Sequence, residues 1–219
     1  MAAPTSLEDE REAVSELGRE MLDTGLTAGT GGNVSIRLGD RVAVSPSGVP
    51  YEAVTPDLVP IITVDGEQLE GDRAPSSESP MHTLIYQARS DAGAIVHTHS
   101  PYACTFASLG KPIPASYYLI AFAGDQVPVA GYAHPGTEEL GALAVDALGT
   151  DYNACLLKHH GVMAVGETGE DAFEVALMVE FCARVHYQAA AIGTPELLGE
   201  EEIHRLREKF DTYGQRGSK

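Results

Sequence analysis

The segment Ala94-Ile-Val-His-Thr-His99 closes an apolar run on two histidines one residue apart. In an extended strand alternate side chains share a face, so His97 and His99 aim at one point while Thr98 turns away. A second apolar run, Cys155 to Lys158, leads into His159-His-Gly161. A third imidazole from that distant turn leaves a fourth position for water, a carboxylate or a substrate, which is the pattern of a catalytic divalent-metal site. Adjacent residues at a strand end point in opposite directions, so one of His159 and His160 joins the cluster, and His160, next to Gly161, is the expected ligand. Two sheet histidines by themselves are more often packing residues. The third one, presented from a turn at a sheet edge, favours the metal reading.

Hydrophobic periodicity fills in the scaffold around these strands. Ser6 followed by Asp9 reads as a helix start, with Val14, Leu17, Met21 and Leu22 on one stripe ending near Gly25. Val34 to Leu38 alternates as a strand and turns at Gly39-Asp40 into Val42-Ala-Val44, and Val59 to Val64 is a third run closed by Asp65-Gly66. Helices are expected through Met81 to Ala88, over Glu138 to Leu148 and over Asp171 to Ala191, with strands at Gln126 to Ala130 and Val162 to Val165. Gly199 to Tyr213 reads as a charged amphipathic helix that packs late or against a neighbour. With 219 residues, 43% of them hydrophobic, the chain can bury one full core. Residues 1–219 are therefore read as a single domain, with 199–219 as a tail able to move.

A formal charge of −18 argues against a nucleic-acid partner, which needs clustered Lys and Arg. No stretch approaches the roughly 18 apolar residues of a membrane span, and the N-terminus lacks a basic region followed by an apolar run. Cys104, Cys155 and Cys182 are odd in number and set among apolar residues, so free thiols in a reducing, cytoplasmic setting are expected.

Three small-residue turns could converge on one anion. Ser76 and Ser77 precede a helix, where hydroxyls and orphan N–H groups meet the positive end of the dipole. A serine N-cap would be the ordinary reading, but Gly31-Gly-Asn33 and Pro46-Ser-Gly48 also let backbone approach a ligand closely. None has the G-x-x-x-x-G-K pattern of a nucleotide-phosphate loop. Glu78 follows the serines, and would be either a first-turn acid or a general base lying between phosphate and metal. Tyr117, Tyr118 and Tyr213 offer phenols that could donate a proton. His82, His186 and His204 fall in expected helices and read as surface or packing residues, while His134 sits in a loop that could border the substrate.

Gly-Thr-Gly-Gly-Asn-Val-Ser, Ser-Pro-Ser-Gly, Pro-Ser-Ser-Glu, His-Thr-His and His-His-Gly occur in the order and spacing of the class II sugar-phosphate aldolases, and from about Leu7 to Tyr213 the chain resembles that family. The resemblance implies a three-layer α/β/α fold with a central, mostly antiparallel sheet, and a homotetramer with active sites at its interfaces. It implies one zinc ion per subunit held by His97, His99 and His160, with Glu78 as a fourth ligand that leaves when substrate arrives and then acts as base. Gly32, Asn33, Ser47, Gly48, Ser76 and Ser77 match the phosphate-binding positions, Tyr118 a tyrosine from the neighbouring subunit, and Tyr213 one in a mobile tail. The substrate implied is a ketose 1-phosphate. Ile113-Pro-Ala115, Tyr118, Gly136-Thr-Glu138 and Lys209-Phe-Asp-Thr-Tyr-Gly214 resemble the members that cleave L-fuculose 1-phosphate to dihydroxyacetone phosphate and L-lactaldehyde. Pro135 and Ser116-Tyr117 depart from those members near the aldehyde end. Members that epimerise pentulose phosphates carry Asp where this chain has Glu78, and dehydration of a methylthioribulose phosphate is a further alternative. A non-catalytic adducin-head-like module would lack the histidines, and a cupin would lack the long helix at 171–191.

Overall fold

The computed structural model of the protein describes residues 7–211. Helix α1 spans Glu8–Asp23 and is followed by the hairpin β1 (Asn33–Leu38) and β2 (Arg41–Val44), then β3 (Ile61–Thr63) and β4 (Gln68–Glu70). Helix α2 (Ser79–Ala88), β5 (Ala94–Thr98), α3 (Pro101–Leu109) and β6 (Ile113–Pro114) lead to β7 (Gln126–Val127) and β8 (Val129–Ala130). The chain continues through α4 (Glu138–Leu148), β9 (Ala154–Leu157), β10 (Gly161–Gly166), α5 (Gly169–Ile192) and α6 (Glu200–Asp211). Eight strands form one sheet in the order β4-β3-β2-β1-β5-β10-β9-β8, antiparallel throughout except where β8 runs parallel to β9.

Strand alternation divides the interior in two. Ala94 and Val96 of β5 belong to one core with α1, α3 and α5, whereas Ile95 belongs to the other with α2 and α4. Period-2 burial on both faces requires helices on both faces, and the three-layer fold follows. Two helix starts are secured by side chains of α5 and its N-cap. Thr168 and Asp171 make a reciprocal capping box at the start of α5. The backbone N–H groups of Tyr102 and Ala103, at the start of α3, donate to the Glu180 carboxylate on α5 at 3.0 and 2.9 Å.

Two expectations are corrected, and two elements are added. The N-cap of α1 is Leu7, with no side-chain cap, and Ser6 lies outside the described residues. The expected strand at 126–130 is broken by Pro128 into β7 and β8, which join different sheets. Helix α3 and the exposed edge strand β4 were not anticipated. The former is short, with Thr105 and Ser108 as its exposed polar residues, and the latter shows no alternation because all three residues are exposed. The thiols are free; Cys155 and Cys182 are buried, and burial raises both to about 12, while Cys104 is only partly covered. Among the described residues no helix is long and apolar enough to cross a membrane.

Candidate metal centre and active site

Two strands and a helix bring four ligands together. His97 lies in β5 and His99 just beyond its end, while Thr98 packs on the opposite side against Ser100. His160 comes from the turn between β9 and β10, which pair with each other and with β5. Glu78 is the N-cap residue of α2, not a first-turn acid, and its side chain makes no cap. One ligand atom from each of the four residues lies within 4.8 Å of the others.

His159 takes a left-handed conformation at φ 58°, is exposed, and lies 6.0 Å from the Tyr132 ring between centroids. The turn therefore sends His159 outward and His160 inward. Gly161 makes the inward position feasible. A Cβ there would overlap the Thr98 carbonyl and stand 3.0 Å from both the His97 and the His99 ring. On the other flank Gly32 has φ +70°, and a Cβ would approach the His97 carbonyl at 2.5 Å. Both glycines make room for the histidines beside them.

The donor set fits a divalent cation. His97 Nδ1–H donates to the Val162 carbonyl at 2.8 Å, which leaves Nε2 with a lone pair. That nitrogen stands 3.1 Å from His99 Nε2 and 3.2 Å from Glu78 Oε2, and Glu78 Oε1 stands 3.1 Å from His160 Nε2. Acceptor atoms facing one another in a buried space call for a proton or a cation between them, and the N3O set suits zinc. Burial raises the Glu78 carboxyl, but the facing His160 and His97 rings outweigh it and hold the group well below the usual carboxylate range. Burial, then the charges of His97 and His160, lowers His99 to about 4. Both residues are thus biased towards their metal-binding forms.

A cavity of about 200 Å³ opens beside Glu78 and His99, bordered by Gly32, Asn33, Ser47, Gly48, Ser76 and Ser77. The three small-residue loops do converge. An isolated bridge between Pro46 and Pro75 ties two of them, and Ser76 N–H donates to the Ser45 carbonyl at 2.9 Å. Tyr51 was not anticipated; its hydroxyl donates to the Gly32 carbonyl at 3.0 Å, and burial raises it to about 12, which keeps it a neutral donor. Asn33 borders the cavity, yet its side chain is engaged by Glu78 and His82. Among the described residues no lysine or arginine borders this cavity.

His82 was expected to be a surface or packing residue, and it is wholly buried behind the site. The spacing of Glu78, His82 and Tyr86, four residues apart on one helix, was the available signal. Tyr118 is 44% exposed and begins a 3₁₀ turn over Tyr118–Phe122, with its ring 6.1 Å from that of Phe210 on α6, and it does not border the cavity. Tyr213 lies outside the described residues.

The Class II Aldolase and Adducin N-terminal domain family matches residues 12–187, and this chain belongs to that family. It is a class II aldolase. The 5-deoxy-D-ribulose 1-phosphate aldolase of Bacillus thuringiensis serovar kurstaki is 48% identical over 95% of this chain and 99% of its own length. The 5-methylthioribulose-1-phosphate/5-deoxyribulose-1-phosphate aldolase of Rhodospirillum rubrum is 40% identical over 93% and 92%. A solved L-fuculose 1-phosphate aldolase superposes with a TM-score of 0.90 at 38% identity, over 96% of this chain and 98% of that one.

Proposed function

We propose that the protein is a divalent-metal-dependent aldolase cleaving the C3–C4 bond of a deoxyketose 1-phosphate to dihydroxyacetone phosphate and a short aldehyde. The observation that carries this reading is the joining of a three-histidine, one-carboxylate cluster to a polar cavity bordered by serine and glycine turns. His97, His99 and His160 would hold the ion, zinc being the metal proposed, with Glu78 beside them. When bound, such an ion supplies Lewis acidity that stabilises the negative charge developing on the ketose carbonyl.

The remaining steps fall to protein groups. Gly32, Asn33, Ser47, Gly48, Ser76 and Ser77 are assigned to the phosphate, held by hydroxyls and backbone N–H groups, since no cationic side chain among the described residues borders the cavity. In the cleavage direction a proton leaves the C4 hydroxyl, the C3–C4 electron pair passes towards the carbonyl, and a proton reaches C3. Glu78 is assigned to the proton at C3, and Tyr118 and Tyr213 to the aldehyde side. Tyr118 lies away from its own cavity, which supports a homotetramer in which a neighbour supplies it. Sedimentation should return four times the 23.2 kDa chain, and a monomer would remove Tyr118 from the reaction. The free cysteines fit a cytoplasmic location.

Identity to the Bacillus relative supports 5-deoxyribulose 1-phosphate as the first substrate to test, and the motif resemblance and the superposed structure support L-fuculose 1-phosphate as the second. With the zinc-loaded protein, dihydroxyacetone phosphate formed from either sugar should oxidise NADH in the presence of glycerol-phosphate dehydrogenase. Constant absorbance across a panel of ketose 1-phosphates would sink the proposal.

A further inference from the structure

A second row of polar groups lies behind the metal cluster, between β1 and α2. Asn33 and Ser35 share one face of β1, where alternate residues align, and Glu78, His82 and Tyr86 recur every fourth residue towards it. Asn33 is 2% exposed, Tyr86 1%, and Ser35 and His82 0%. Their side chains form one unbranched chain. Asn33 Nδ2 lies 2.9 Å from Glu78 Oε2, Asn33 Oδ1 2.5 Å from His82 Nε2, His82 Nδ1 2.7 Å from Ser35 Oγ, and Ser35 Oγ 2.8 Å from the Tyr86 hydroxyl.

The polarity of every link follows from one end. A carboxylate among metal ligands only accepts, so the Asn33 amide turns its NH2 to Glu78 and its carbonyl to His82. That carbonyl needs a donor, which makes His82 the Nε2–H tautomer with Nδ1 as acceptor. Ser35 then donates to Nδ1, and Tyr86 donates to Ser35, at Oγ or at the carbonyl oxygen 3.0 Å away. Reversing any link sets two donors or two acceptors against each other, and a buried polar group left unmet is destabilising. Burial, and then the charge of His97, lowers His82 to about 3, so the ring stays neutral as a single tautomer requires.

We infer that His82 is a positioning residue for the Glu78 carboxylate: held as its Nε2–H tautomer by Ser35, it sets the Asn33 amide, which orients Glu78 towards the three imidazoles. Asn33 grips Oε2, the oxygen near His97, and leaves Oε1 turned to His160. The effect on turnover rests on the aldolase reading proposed above, whereas the hydrogen-bond polarity stands apart from it.

Long-range proton–nitrogen NMR spectra of the metal-loaded protein test the polarity directly. His82 should carry its proton on Nε2, and a proton on Nδ1 would overturn the inference. Ser35→Ala, which does not touch the cavity, removes the donor to Nδ1, and His82→Phe removes the ring donor at similar size. In both, kcat should fall about 10–100-fold. KM should stay within about threefold, since the loss concerns the reacting carboxylate and not ground-state binding. Bound metal and the folded fraction by circular dichroism should match the parent protein. His82→Gln, whose amide can donate to Asn33, should recover part of kcat. A kcat that falls only with the folded fraction, or a raised KM at constant kcat, would overturn the inference. Lack of turnover by the parent protein on every ketose phosphate would overturn the aldolase reading, leaving the tautomer to decide this one.

Discussion

Glu78 is the side chain on which the chemistry turns, because it stands 3.2 Å from His97 and 3.1 Å from His160 while bordering the cavity. Glu78→Gln keeps the shape and removes the basic oxygen. Metal analysis should still find about one ion per chain, and turnover should drop about 10²–10⁴-fold, the usual contribution of a general base. Undiminished kcat would take Glu78 out of that role. Gly161→Ala tests the cluster from the other side, since its Cβ would press on both β5 histidine rings. Metal affinity measured by equilibrium dialysis should weaken by about 10–100-fold, the range seen when ligand orientation is disturbed. His97 and His99 were legible from their spacing, because strand alternation is a local property. Nothing local shows that His82 faces Ser35 and Asn33, which are 47 and 49 residues away.

The elements that carry the site are fixed at their ends. Helix α5 packs on β5 and β10, the strands that bear or flank all three histidines, and its start is secured by Thr168 and Asp171. Thr168→Ala should cost about 1 kcal/mol. For a chain of this size that lowers Tm by about 2–4 °C by calorimetry, and no change would mean the cap is dispensable. Helices α4 and α5 were readable from periodicity nearly to their ends, as were the β1–β2 hairpin and the β9–β10 pair. Helix α6 was foreseen as an amphipathic tail, and its partner is now defined: Phe210 stacks on Phe122 with centroids 4.6 Å apart. Helix α3 was missed because nine residues with Thr105 and Ser108 as the exposed polar positions are too short a stretch to set a clear period.

For the whole molecule the buried imidazoles set the response to acid. His82 titrates at about 3 and His99 at about 4 in the folded chain, against 6.5 for the free side chain. Between those values the unfolded chain binds more protons, so stability rises with pH across the window. The metal-free protein should hold its full stability above about pH 6.5 and lose it progressively towards pH 3, as followed by Tm at each pH. A Tm independent of pH over that range would refute the assignment of buried neutral rings. Zinc at about 100 times its Kd should add about 2.7 kcal/mol at neutral pH, reversed by a chelator. The amino-acid order by itself determined the strand and helix periods, the donor types and the three small-residue turns, because each depends on neighbours a few residues apart. The choice of His160 over His159 was already signalled by the neighbouring Gly161, whereas tertiary structure alone decided that Glu78 lies against the imidazoles and that Asn33 and His82 stand behind it. Those outcomes depend on how α2 and the β9–β10 turn pack against β1 and β5, and packing between distant segments leaves no periodic trace in the chain.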